Sequence, residues 1–87
     1  MRFEDAYVSR ADRFSLGAER DSGRYYVSIP VSSGVVDYEE YYELTGERYR
    51  AFLADPCAAS AFAAACRRRE HDDLLLLRPG RNRGTPV

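Results

Sequence analysis

The stretch VVDYEEYYEL, residues 35–44, decides how this chain folds. Val35, Tyr38 and Tyr42 would line up on a helix. The period-two set Val36, Tyr38, Glu40, Tyr42 and Leu44 is longer and richer in β-formers, and it predicts a strand with its even-numbered side chains inward. Asp37, Glu39, Tyr41 and Glu43 then face water.

Working back along the chain, RYYVSIPV at 24–31 alternates in the same way, with Tyr25, Val27, Ile29 and Val31 on the apolar side. A four-residue loop at 32–35 pairs Val31 with Val36, Ile29 with Tyr38, Val27 with Glu40 and Tyr25 with Tyr42. The same register sets Arg24 against Glu43 and Tyr26 against Tyr41 on the outer face, pairs worth about 0.2–1 kcal/mol each. Further upstream, Phe14, Leu16 and Ala18 alternate before the turn cluster Asp21-Ser22-Gly23, which predicts a third strand and a meander. A loop at 21–24 there pairs Ala18 with Val27, Leu16 with Ile29 and Phe14 with Val31. Pro30 cannot donate to a ladder, so a bulge or an edge placement is expected around it. Residues 1–12 fit either a helical stripe or a short strand.

The downstream half reads as helical. Thr45 is an N-cap for GERYRAFLA, with Tyr49, Phe52 and Leu53 inward. In Asp55-Pro56 the proline disfavours α geometry before it and fits the first position of a new helix, which Asp55 caps. That second helix is expected over 56–69, with Ala58, Phe62, Ala65 and Cys66 against the sheet. The run Leu74 to Leu77 is short for a helix and predicts a buried strand, paired within the chain or with another copy. The sequence thus predicts one α+β domain over 1–77, a three- or four-stranded mainly antiparallel sheet with two consecutive helices on one face, and an irregular tail at 78–87.

Composition narrows the function classes. Eighty-seven residues suffice for one domain, which at this size buries about 60–65% of the surface its unfolded chain exposes. A formal charge of −1 gives no global attraction to nucleic acid or anionic lipid. The N-terminal segment lacks the apolar core of a secretory signal, and no stretch approaches the ~20 apolar residues of a membrane span, so a cytoplasmic protein is expected. All thirteen basic residues are arginine, a usage that fits a GC-rich bacterial genome. Arg67-Arg68-Arg69 therefore reads as a solvated face, and a nucleic-acid role would require those arginines to converge with Arg78, Arg81 and Arg83.

Candidate sites are few. Cys57 and Cys66 lie about 900° apart along a helix and have no partners at zinc spacing, so neither a disulfide nor a metal site is expected, and no cofactor motif is present. A ligand pocket between sheet and helices would use Tyr38, Glu40 and His71. In it, burial would raise the Glu40 pKa and make that residue an acid or base, unless an arginine such as Arg20 or Arg48 pairs it. An interaction surface would use Tyr26, Asp37, Glu39, Tyr41 and Glu43, aromatic anchors in an acidic rim that favours a basic protein partner and disfavours nucleic acid. The expectation is a protein–protein interaction module without catalysis, either a homodimer or an immunity- or antitoxin-like binder of another protein, with the Glu40 pocket as the alternative.

Overall fold

The computed structural model of the chain describes residues 2–78 and 83–87. Four strands follow one another as an antiparallel meander, β1 (Phe3–Ser9), β2 (Phe14–Glu19), β3 (Tyr25–Ser32) and β4 (Asp37–Leu44), in spatial order β1-β2-β3-β4. Helices α1 (Gly46–Ala54) and α2 (Pro56–Arg67) come next, then a 3-10 turn at Asp72–Leu74 and a short strand β5 (Thr85–Pro86) paired to β3. The protein is an α+β domain, and in the N-terminal segment that fitted either helix or strand, Phe3–Ser9 form an edge strand.

The alternation holds over Asp37–Leu44: Glu40, Tyr42 and Leu44 are buried, with Tyr38 packed at the margin of the same core. Across from them Val27, Ile29 and Val31 are fully buried, and Phe14 and Leu16 complete the floor on β2. Register differs from expectation by two residues in both hairpins while parity is kept. Tyr25 faces Leu44, Val27 faces Tyr42, Ile29 faces Glu40 and Val31 faces Tyr38; Leu16 faces Val27 and Ala18 faces Tyr25. The cause lies in the turns. Ser33 donates its backbone N–H to the Val36 carbonyl at 3.0 Å, so the loop is 33–36, Ser32 joins the strand, and Val36 is left exposed. At the other hairpin Glu19 donates its N–H to the Arg24 carbonyl at 2.8 Å, closing the loop one residue earlier than expected. Gly23 and Gly34 take positive φ (71° and 87°) to complete these turns.

Pro30 sits inside β3 without a bulge. Its carbonyl accepts from Val87 N–H at 3.2 Å, so its nitrogen faces the same side, where β2 has already ended and no donor is required. β5 fills this side of β3 beyond the proline, pairing Val31 with Pro86 and Ser32 with Thr85. The tail expected to be irregular therefore contributes a strand, and Gly84 makes it possible: a Cβ there would meet the backbone carbon and oxygen of Ser32 at 2.6 Å.

The helices start as their caps dictate. Thr45 Oγ1 accepts from Arg48 N–H at 3.1 Å, Asp55 Oδ1 accepts from Cys57 N–H at 3.2 Å, and Pro56 opens α2. On α1, Phe52 is buried and Tyr49 stacks on Tyr25 at 4.2 Å, while Leu53 is exposed rather than inward. On α2 the buried positions are Ala59, Ala63, Ala65 and Cys66, with Phe62 packed beside them. Ala58 is exposed, because the small-residue stripe is offset one position from the expected face. The leucine run is not a strand. Leu74 closes the 3-10 turn, Leu75 makes a single bridge to Tyr42, Leu76 donates its N–H to the Tyr41 carbonyl at 2.9 Å, and Leu77 is exposed.

Candidate functional site

Two acidic centres occupy opposite faces of the sheet, and chain neighbours Glu39 and Glu40 belong to one each. Glu40 lies on the helix side. Its carboxylate accepts from Tyr42 Oη at 2.9 Å, from Arg83 Nε at 2.7 Å and Nη2 at 3.2 Å, and from Arg69 Nη1. Arg83 also forks onto Asp72 at 2.8 and 2.9 Å, and Arg69 donates to the Gly84 carbonyl at 2.8 Å. Burial on its own would raise the Glu40 pKa. The donors from Arg83, Tyr42 and Arg69 outweigh it and hold the carboxyl below its ordinary value; an arginine pairs it as the sequence allowed, with Arg69 and Arg83 in place of Arg20 or Arg48. Glu40 is thus a structural anion. Burial and the Glu40 bond together push the Tyr42 hydroxyl well above the usual tyrosine range.

The expected pocket of Tyr38, Glu40 and His71 is not assembled. Tyr38 Oη accepts from Gly84 N–H at 2.7 Å, so β5 occupies the space beside it. His71 stacks on Phe62 at 4.4 Å, and the Arg48 guanidinium lies over the same Phe62 ring at 5.0 Å, which leaves neither His71 nor Arg48 at Glu40. Arg20 pairs with Glu4. The partners of Glu40 escaped sequence reasoning because they lie 29 and 43 residues away and one belongs to a segment of turn-like composition.

On the opposite, helix-free face, Tyr26 and Tyr41 lie where alternation placed them, but Tyr26 is fully buried rather than exposed. Phe3 on β1 stacks on Tyr41 at 3.6 Å and meets Tyr26 edge-on at 5.3 Å. This contact spans the sheet because Gly17 on β2 has no side chain: a Cβ there would meet Tyr26 Oη at 2.6 Å and would strike the Glu4 carbonyl. A bulge between Asp5 and Tyr7 then turns Tyr7 to the other face, where it packs on Phe14. Tyr26 Oη donates to Asp5 Oδ1 at 2.5 Å. Burial, then this bond to Asp5, pushes the hydroxyl far above its usual range.

Around this aromatic cluster stand the acids. Asp37 is exposed, Glu43 lies 3.8 Å from Arg24, and Glu39 is half-buried and accepts from the Ser28 hydroxyl at 3.2 Å. Burial raises the Glu39 pKa, the Ser28 hydrogen bond offsets part of that, and the nearby Asp5 charge raises it further. Among the described residues no arginine comes within ion-pair distance of Glu39.

The arginines expected as a solvated run are largely spent inside the chain. Arg67 donates to the carbonyls of Asp12 and Arg13, Arg68 pairs with Glu70, and Arg69 and Arg83 hold Glu40. Arg81 lies outside the described residues. Among the described residues no group of His, Cys, Asp and Glu could hold a metal ion, and no helix is long and apolar enough to cross a membrane. Comparison with protein-family models, with curated proteins and with solved structures finds no match.

Proposed function

We propose that this chain is a protein–protein interaction module that binds through the helix-free face of its sheet and performs no catalysis there. The observation that carries this reading is Glu39, a half-buried carboxylate held beside Asp5 without a compensating arginine among the described residues. An uncompensated charge of this kind costs stability in the free protein and is relieved when a cation arrives. Tyr41 supplies an aromatic anchor beside it, and the exposed Val35 and Val36 extend the face at the tip of the β3–β4 turn.

The acidity of the face favours a basic partner over a second copy of the chain, since a two-fold interface would set like charges against each other. Such a module, in a cytoplasm of the GC-rich bacterial kind that the arginine usage suggests, has the size of an immunity- or antitoxin-like binder. Titrating the isotopically labelled protein with an arginine-rich decapeptide tests the reading. Amide shifts gathered at Tyr41 and Glu43, lost at high salt and weakened by Asp37→Arg with Glu43→Arg, are the expected result. Shifts confined to the helices, or none, would overturn it. Sedimentation across a concentration series is expected to return a monomer.

A further inference from the structure

At the end of the helix-free face where β2 stops and β3 continues past Pro30 lies a groove of about 340 Å³ whose lining includes Val8, Arg10, Arg13, Pro30 and Glu39. Its size is at the lower end of ligand sites and suits a small molecule. Charge is divided across it. Glu39 stands on β4, and Arg10 and Arg13 stand in the β1–β2 turn. Among the described residues neither arginine is within ion-pair distance of a carboxylate, although most other arginines of the chain are. Between the charged walls Val8 and Pro30 supply apolar surface beside Ser9 and Ser15.

The turn that presents the arginines is held rigidly and at a cost. Arg13 has φ 55°, a conformation that glycine adopts freely and arginine does not. Arg67 on α2 fixes it there by donating to the carbonyls of Asp12 and Arg13, and Ser9 Oγ accepts from Asp12 N–H at 3.2 Å. A turn whose backbone requirement points to glycine carries instead a cation that lines a groove.

We infer that this groove binds a small zwitterion with an apolar body, its carboxylate on Arg10 and Arg13 and its ammonium on Glu39. A simple anion would meet the Glu39 carboxylate, and a simple amine would meet two guanidinium groups, so only a molecule with both ends satisfies both walls. The site shares Glu39 with the face proposed to bind protein, whereas Arg10 and Arg13 lie apart from Tyr41 and Glu43, so a variant at Arg13 separates the two readings.

The test is titration of the labelled full chain with glycine, 4-aminobutyrate and 6-aminohexanoate, with hexanoate and hexylamine as single-ended probes. Saturable shifts at Val8, Ser15 and Glu39 are expected for at least one zwitterion, with binding about tenfold tighter than for either single-ended probe. Arg13→Gly, which suits the positive φ and so preserves the fold, is expected to abolish saturation, as is Glu39→Gln. Absence of saturation with every zwitterion, equal binding of hexanoate, or unchanged binding by Arg13→Gly would each overturn the assignment.

Discussion

Glu39 and Glu40 are adjacent in the chain, yet their carboxylates lie on opposite faces of β4 and their pKa values are displaced in opposite directions. Burial and Asp5 disfavour the charge on Glu39, while two arginines and a tyrosine support it on Glu40. The period of the strand separates them, and what each face packs against decides the sign.

Glutamine at each position should therefore act in opposite ways. The folded pKa of Glu39 lies above 4.5, so its ionised form costs stability at neutral pH, and Glu39→Gln should be more stable than the parent at pH 7. The folded pKa of Glu40 lies below 4.5, so its contribution is complete above that value and is lost as pH falls through the folded pKa. Glu40→Gln should be less stable at pH 7, with the gap closing in acid. Melting temperatures across pH 3–8 check both signs.

Removing the tail's cation has a size set by what remains. Arg83→Ala leaves Glu40 with Arg69 and Tyr42, so the loss is that of charge-assisted hydrogen bonds rather than of all compensation, roughly 1.5–3 kcal/mol. Asp72→Asn, at the more exposed end of the same guanidinium, should cost under about 1 kcal/mol. Urea denaturation of the two variants gives the comparison.

Gly17→Ala places a methyl group against a strand carbonyl and the Tyr26 ring, neither of which can withdraw without opening the β1–β2 pair or the aromatic cluster. A loss of at least roughly 1–3 kcal/mol follows. Faster amide exchange should be confined at first to β1, and the near-ultraviolet signal of the Phe3, Tyr26 and Tyr41 cluster should diminish.

Glu19 closes the β2–β3 turn by accepting from the backbone N–H groups of Arg2, Asp21 and Ser22 at 2.8 to 2.9 Å, which hold its pKa at about 2. The stability it contributes is present above 4.5 and disappears as pH falls toward 2. Glu19→Gln should flatten the acid limb of the stability profile over that interval, as followed by thermal melts.

The two thiols should separate kinetically. Cys57 is exposed, whereas Cys66 is buried, and burial pushes its thiol up to about 12. A disulfide reagent should modify one thiol in the folded protein and both in denaturant; rapid modification of both in the folded state would contradict the packing of α2.

How much of this was legible beforehand follows from the range of each interaction. Alternation in residues 24–44 and the Thr45 and Asp55-Pro56 caps are local, so strand parity and helix starts could be read directly. Register depended on where Ser33 and Glu19 hydrogen-bond, a choice among turn geometries that hydrophobic pattern alone does not make, and it moved by two residues. The covering of Tyr26 needed Phe3 and Gly17, and the neutralisation of Glu40 needed Arg69 and Arg83. No periodicity connects residues so far apart. Leu74 to Leu77 resembled a strand because apolar runs of that length do not distinguish a strand from a packed turn.

The strand made by Thr85 and Pro86 has a practical corollary for anyone preparing shorter versions of this chain. Residues 78–87 look dispensable by composition, yet cutting them away would strip Glu40 of one of its two guanidinium partners, release the Tyr38 hydroxyl and bare the edge of β3 beyond Pro30. Such a truncation should aggregate rather than simplify.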